Sequence, residues 1–301
     1  MDWVSGGLRH GLDGETVDPH IRFGYRFDAA VMSPDGRYAV LYERLGTKAL
    51  LLREGKHVRE LHRSYYHADV YEYPLALWTQ PSGRTLLAHC PDEYCRIELE
   101  DAETGELLTR RDAESPDIFH SRLQFSREGR FLLSAGWIWH PVDAVHVFDV
   151  ARALEQPASL DEPEGFPAGE DFLEAHAAAF GARGTLLLEC EGMGDDEPGG
   201  SHLQVYSLSE RRELSRARLE EPLGTMMPVG DQYALSLYQH PKLVELATGR
   251  VVERWPELNT GAQCSSIIRH LPPLPPMALD PERGRFAVGT DKGIEVLLFQ
   301  P

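Results

Sequence analysis

Six times along the chain a short apolar run enters a tight turn and a second apolar run leaves it. A polar loop then leads to a third run in which apolar and polar residues alternate. The first apolar run is seen in Ala30-Val31-Met32, the second in Tyr38-Ala39-Val40-Leu41, and the alternating third in Val145-His146-Val147-Phe148 and Leu203-Gln204-Val205-Tyr206. Period-two alternation predicts strands with one buried face, and the Gly, Pro and Asp of turns such as Pro34-Asp35-Gly36-Arg37 and Arg127-Glu128-Gly129-Arg130 predict hairpins. Several copies run on through a polar turn into a more charged segment, clearest in Val251-Val252-Glu253-Arg254, which is read as a fourth strand.

The first residues after the turns, Tyr38, Thr85, Phe131, Thr185, Tyr233 and Phe286, lie 47, 46, 54, 48 and 53 positions apart. A repeat of that length built from four short strands is the signature of a propeller blade. The expected fold is therefore all-β: a single closed β-propeller of six four-stranded blades, rather than seven, beginning near residues 28, 73, 121, 175, 224 and 275. The sixth copy stops after its third strand, near Ile294-Glu295-Val296-Leu297. Residues 1–27 precede the first copy, and an N-terminal strand from either 2–9 or 16–23 is expected to close the ring, because an open sheet edge invites association.

The Ser33-Pro34-Asp35-Gly36-Arg37 turn, the Val147-Phe148-Asp149-Val150 strand ending and the run from Glu98 to Leu107 resemble those of the WD-repeat-like bacterial β-propeller superfamily, and the resemblance extends from about Phe27 to Phe299. The Gly-His and Trp-Asp dipeptides of typical WD repeats do not occur, so the likeness concerns architecture. A fold of this kind serves many functions.

Charge narrows the choice. The net charge is −18, and two segments concentrate it: 155–176 holds seven acids and 189–201 holds five, neither with a Lys or Arg. In a propeller these segments would share one face, which is expected to repel nucleic acid and attract a basic protein. The expected docking residues there are Asp161, Glu162, Glu164, Glu170 and Asp171 from the first segment, and Glu191, Asp195, Asp196 and Glu197 from the second. Aromatic and histidine residues of loops on that face, Tyr65, Tyr66, His120, Trp139, His140 and His240, are expected to supply anchors. Trp137 and Trp139 alternate along one strand, so at least one of them belongs to the core.

Chemical motifs are sparse. The spacing of Cys90, Cys95, Cys190 and Cys264 matches no zinc pattern, and packed free thiols are expected. Nucleophile elbows, Walker loops and dinucleotide fingerprints do not occur. A sharper reading has His140 and His240 meeting Asp143 and His120 as a metal or acid–base site. Runs such as Ala177-Ala178-Ala179 and Met226-Met227-Pro228, expected to line the channel, look too apolar for chemistry. The expectation is a non-catalytic protein-binding propeller without cofactor or metal, monomeric, cytoplasmic, and acting as a scaffold or as an immunity protein against a basic toxin. A propeller hydrolase or lyase with a site at the channel mouth is the alternative.

Overall fold

A computed structural model describes residues 2–112, 114–166, 172–192 and 200–299. Ser33 and Asp35 explain why the first turn folds as its sequence predicts. Ser33 Oγ donates to Asp35 Oδ1 and accepts from the Tyr38 amide, Asp35 Oδ1 accepts from the Arg37 amide, and Gly36 takes the left-handed conformation at φ +74°. Burial would raise the Asp35 carboxyl, but these bonds and Arg37 hold it down at about 2. The same device recurs at Ser126, whose hydroxyl accepts from the Phe131 amide while Gly129 takes φ +66°.

These turns join strands into antiparallel sheets in chain order. The first sheet comprises Ala29–Met32, Tyr38–Tyr42, Lys48–Arg53 and Lys56–His62. The second has Leu75–Thr79, Thr85–His89 and Glu98–Asp101, extended by a bridge from Glu100 to Leu107. In the third, a split first strand (Ile118–Phe119, Gln124–Phe125) lies against Phe131–Ile138, followed by Val142–Asp149 and Glu164–Phe166. The fourth is the most regular: Phe172–Phe180, Thr185–Gly192, Ser201–Ser207 and Arg212–Arg218. Met226–Val229, Tyr233–Ser236, Lys242–Glu245 and Val251–Arg254 form the fifth, and Met277–Asp280, Arg285–Thr290 and Gly293–Leu298 the sixth. No helix among the described residues is long and apolar enough to cross a membrane.

The chain divides into two compact units, residues 1–132 with 148–162 and residues 133–147 with 163–301. Within the first unit, Val40 and Leu51 pack against Tyr73, Leu75 and Leu87, and Leu86 and Leu99 pack against Phe125, Leu132 and Phe148. Within the second, Leu187, Leu203 and Val205 meet Met226, Ala234 and Val244, while Leu235 and Leu237 meet Phe286 and Val288. Within each unit, consecutive sheets thus bury opposite faces against their neighbours, as alternation along each strand requires.

The N-terminal strand does not close the ring as expected. Arg9–His10 pairs with Thr16–Val17, and Gly293–Leu298 is paired only with Arg285–Thr290 among the described residues. The reason lies in the first sheet, where Leu41, Leu50 and Leu52 point away from the second sheet and need cover; Trp3, Val4 and Phe23 supply it. The segment is used as a lid over a sheet face.

His89 makes stability pH-dependent. It is buried, its Nε2 lies 3.2 Å from a Glu100 oxygen, and its Nδ1 has no partner. Desolvation, then the nearby Arg59, pushes its pKa down to about 3, and burial pushes His146 to about 4. Unfolded histidine titrates near 6.5, so on acidification the unfolded chain takes up these protons first. The contribution of these two histidines is complete above about pH 6.5 and falls toward pH 4 by about 1.4 kcal/mol per unit for each. Urea unfolding at pH 7, 6 and 5 should show that slope, reduced by about half in His89→Gln. A flat profile, or an unchanged slope in the variant, would refute it.

Candidate functional site

Arg63, the residue after Lys56–His62, organises an open recess in the first unit. Its Nε donates to the Gly46 carbonyl at 2.8 Å, and its Nη2 donates to the carbonyls of Ala68 (2.6 Å), Tyr71 (3.1 Å) and Arg44 (3.2 Å). The guanidinium also lies over the rings of Tyr71 and Tyr73, at 4.8 and 4.9 Å. Above this fixed cation, Ser64, Tyr65, Tyr66, His67, Pro91 and Asp92 line an open groove. Tyr65 is 81% exposed and Tyr66 46%. Tyr66 rests on Tyr94 (4.9 Å between centroids) and Phe119 (6.0 Å), and Tyr94 stacks on Phe119 at 4.4 Å. Asp69, Asp92, Glu93 and Asp117 are exposed in the same segments, and Asp117 accepts a 2.6 Å bond from the Tyr94 hydroxyl. Rigid tyrosine faces beside carboxylates suit an Arg or Lys side chain, through cation–π attraction and ion pairing.

The acidic segments are less bare in space than in sequence. Asp161 is bound by Arg111, fifty residues earlier, through 2.7 and 2.8 Å bonds, and also accepts from Ser115. Burial would raise its pKa, but these bonds hold it below the usual range. Asp161 is therefore a structural ion-pair partner rather than the docking residue expected. Glu162 pairs with Arg152, Glu164 with Arg211, and Glu191 with His176. Glu164 also stands in the outer strand of the third sheet, where a loop was expected. Glu170, Asp171, Asp195, Asp196 and Glu197 lie outside the described residues.

Of the expected anchors, Tyr65 and Tyr66 share the groove, and Trp139 is 40% exposed while Trp137 is core at 3%. His120 is buried, its ring edge-on to Phe148 at 5.9 Å, so it cannot contact a partner. It sits in the interruption of the split strand, which turns it inward. His140 is exposed at φ +91° and His240 is half-buried, and neither joins a cluster of metal-ligating groups among the described residues. None of the four cysteines is disulfide-bonded, and burial pushes Cys190 up to about 12.

Asp143 instead meets Glu174 and His176 of the second unit, with one oxygen or nitrogen from each lying within 4.8 Å of the others. Sequence reading passed over Glu174 and His176 as site residues. The available signal was their i, i+2 spacing on an otherwise apolar strand, which places two polar groups on one face.

Six small antiparallel sheets, formed in chain order and packed on their neighbours within each unit, define a class: the protein has an all-β, six-bladed β-propeller fold. Comparison with known structures gives the same fold. A chain of the mitotic checkpoint complex aligns over 96% of this chain and 79% of its own, with 10% identity and a TM-score of 0.60. Hydrazine synthase of Kuenenia stuttgartiensis aligns over 94% and 85%, at 12% identity and 0.58. BamB from Moraxella catarrhalis aligns over 89% and 83%, at 12% identity and 0.51. These neighbours include an enzyme and a component of a protein assembly, so the fold is shared across different activities. No protein-family model matches the chain, and no curated protein matches it.

Proposed function

We infer that the protein is a non-catalytic, protein-binding propeller that docks a basic segment of a partner in the Tyr65–Tyr66 groove. The observation that carries this reading is a stacked tyrosine platform, open to solvent and flanked by exposed carboxylates. A net charge of −18 supports it by favouring encounter with basic surfaces. The same groove would serve a scaffold of a bacterial assembly or an immunity protein that covers a basic toxin. The second reading, a hydrolase or lyase, draws its support from the convergence of Asp143, Glu174 and His176.

The test is capture of partners from native lysate at low and high salt by wild type, Tyr65→Ala/Tyr66→Ala and Asp92→Lys/Glu93→Lys. A basic protein should be retained by wild type, released by salt, and bound at least about tenfold more weakly by either variant. Retention by both variants at the wild-type level would refute the groove as the docking site.

A further inference from the structure

In the second unit, Asp143 stands near the start of Val142–Asp149, and Glu174 and His176 near the start of Phe172–Phe180. Asp143 is 6% exposed. Its Oδ1 accepts from the Ser266 amide at 3.1 Å and the Ser266 hydroxyl at 2.7 Å, which fixes the carboxylate plane. Its Oδ2 lies 3.3 Å from His176 Nδ1, and its amide donates to Glu174 Oε2 at 2.8 Å. Glu174 stands directly across the ladder from Glu191, an arrangement in which like charges repel. His176 is the extra residue of a β-bulge, since Ala175 pairs with Cys190 and Ala177 with Glu189. A bulge re-aims a side chain, and this one lets the ring reach both carboxylates: its Nε2 is 3.6 Å from Glu191.

The geometry points to a divalent transition-metal site in which Asp143, Glu174 and His176 Nδ1 are the protein ligands and Glu191 orients the imidazole through Nε2. Three properties favour it. The donors are one nitrogen and two carboxylates, a set that suits zinc-like ions over calcium or magnesium, which take oxygen only. Each first ligand is held by a second group, Asp143 by Ser266, Glu174 by the Asp143 amide and His176 by Glu191, as metal ligands usually are. Bonds of about 2.0–2.2 Å require the three atoms to draw closer together than 4.8 Å, and the partly exposed Glu174 has the rotamer freedom to close that distance. Three protein ligands leave a fourth position for water.

EDTA-treated, dialysed protein titrated with ZnCl2 by calorimetry at pH 7.5 should bind one equivalent at micromolar affinity. CoCl2 should give visible absorption bands at the same stoichiometry, and excess CaCl2 should not compete. His176→Asn, checked for native circular dichroism, should abolish this binding. Glu191→Gln should weaken it at least about tenfold, and His140→Asn should leave it unchanged. Failure to bind zinc stoichiometrically, or binding that survives His176→Asn, would overturn the assignment. These residues are distinct from the tyrosine groove, so either reading can fail alone.

Discussion

Arg111→Ala should destabilise the protein by about 3–5 kcal/mol, the usual cost of breaking a buried ion pair from one side. The Arg111 side chain is 4% exposed and donates to both oxygens of Asp161, to the Ile97 carbonyl at 3.0 Å, and towards Glu98 at 3.4 Å. Truncation takes the cation from the Asp161 carboxylate, 9% exposed, and one of two cations from Glu98, 6% exposed, which keeps Arg96. Lysine at this position should recover only part of the loss, because an ammonium cannot reproduce the two-pronged fork to Asp161. Arg111→Met combined with Asp161→Leu should recover most of it, since the desolvated charges then go together. Urea unfolding measures all three. A loss under about 1 kcal/mol in Arg111→Ala would show that water reaches these groups and that the pair is not truly buried.

Gly129→Ala should be far more damaging than Gly36→Ala, at the matching turn of the first sheet. A Cβ at this position, where φ is +66°, would fall 1.9 Å from the Trp78 ring. That ring packs on Phe125, 6.1 Å between centroids, and on the core of the first unit, so displacing it disturbs that packing. Left-handed strain of about 1–2 kcal/mol adds to an overpacking cost of about 1–3 kcal/mol. Gly36 is the internal control: it has a similar φ of +74° and nothing within 4 Å of its Cβ position, so Gly36→Ala should suffer the strain alone. Thermal unfolding of both variants gives the comparison. Equal losses would mean that Trp78 moves freely, contrary to its packing.

The parts of this structure legible in the sequence were those set by local physics. Strand alternation and turn chemistry act over a few residues, so the Ser33–Tyr38 and Ser126–Phe131 turns and the blade strands could be read directly. The N-terminal lid could not: Trp3, Val4 and Phe23 follow no period, and only the unmet face of Leu41, Leu50 and Leu52 explains their place. The acidic segment misled because charge balance was counted along the chain, while its counter-ions arrive from elsewhere, Arg111 from fifty residues upstream and Arg211 from further along. The Asp143 cluster needed two facts invisible in a linear reading, a bulge at His176 and the arrival of Ser266 beside Asp143. The tyrosine pair was identified correctly as exposed, but what makes it a platform, Phe119 and Tyr94 beneath Tyr66, comes from two other segments.

Arg63 locks the ends of a long connection by tying the carbonyls of Arg44, Gly46, Ala68 and Tyr71 to one planar cation. The ordering of that loop is thus completed when the chain folds, and little conformational search is left for the moment of encounter. On the proposed docking role, a partner would meet Tyr66 already in position, so partners of different strength should arrive at similar speed and differ in how long they stay. On that reading, residence time rather than capture rate is the quantity this groove sets.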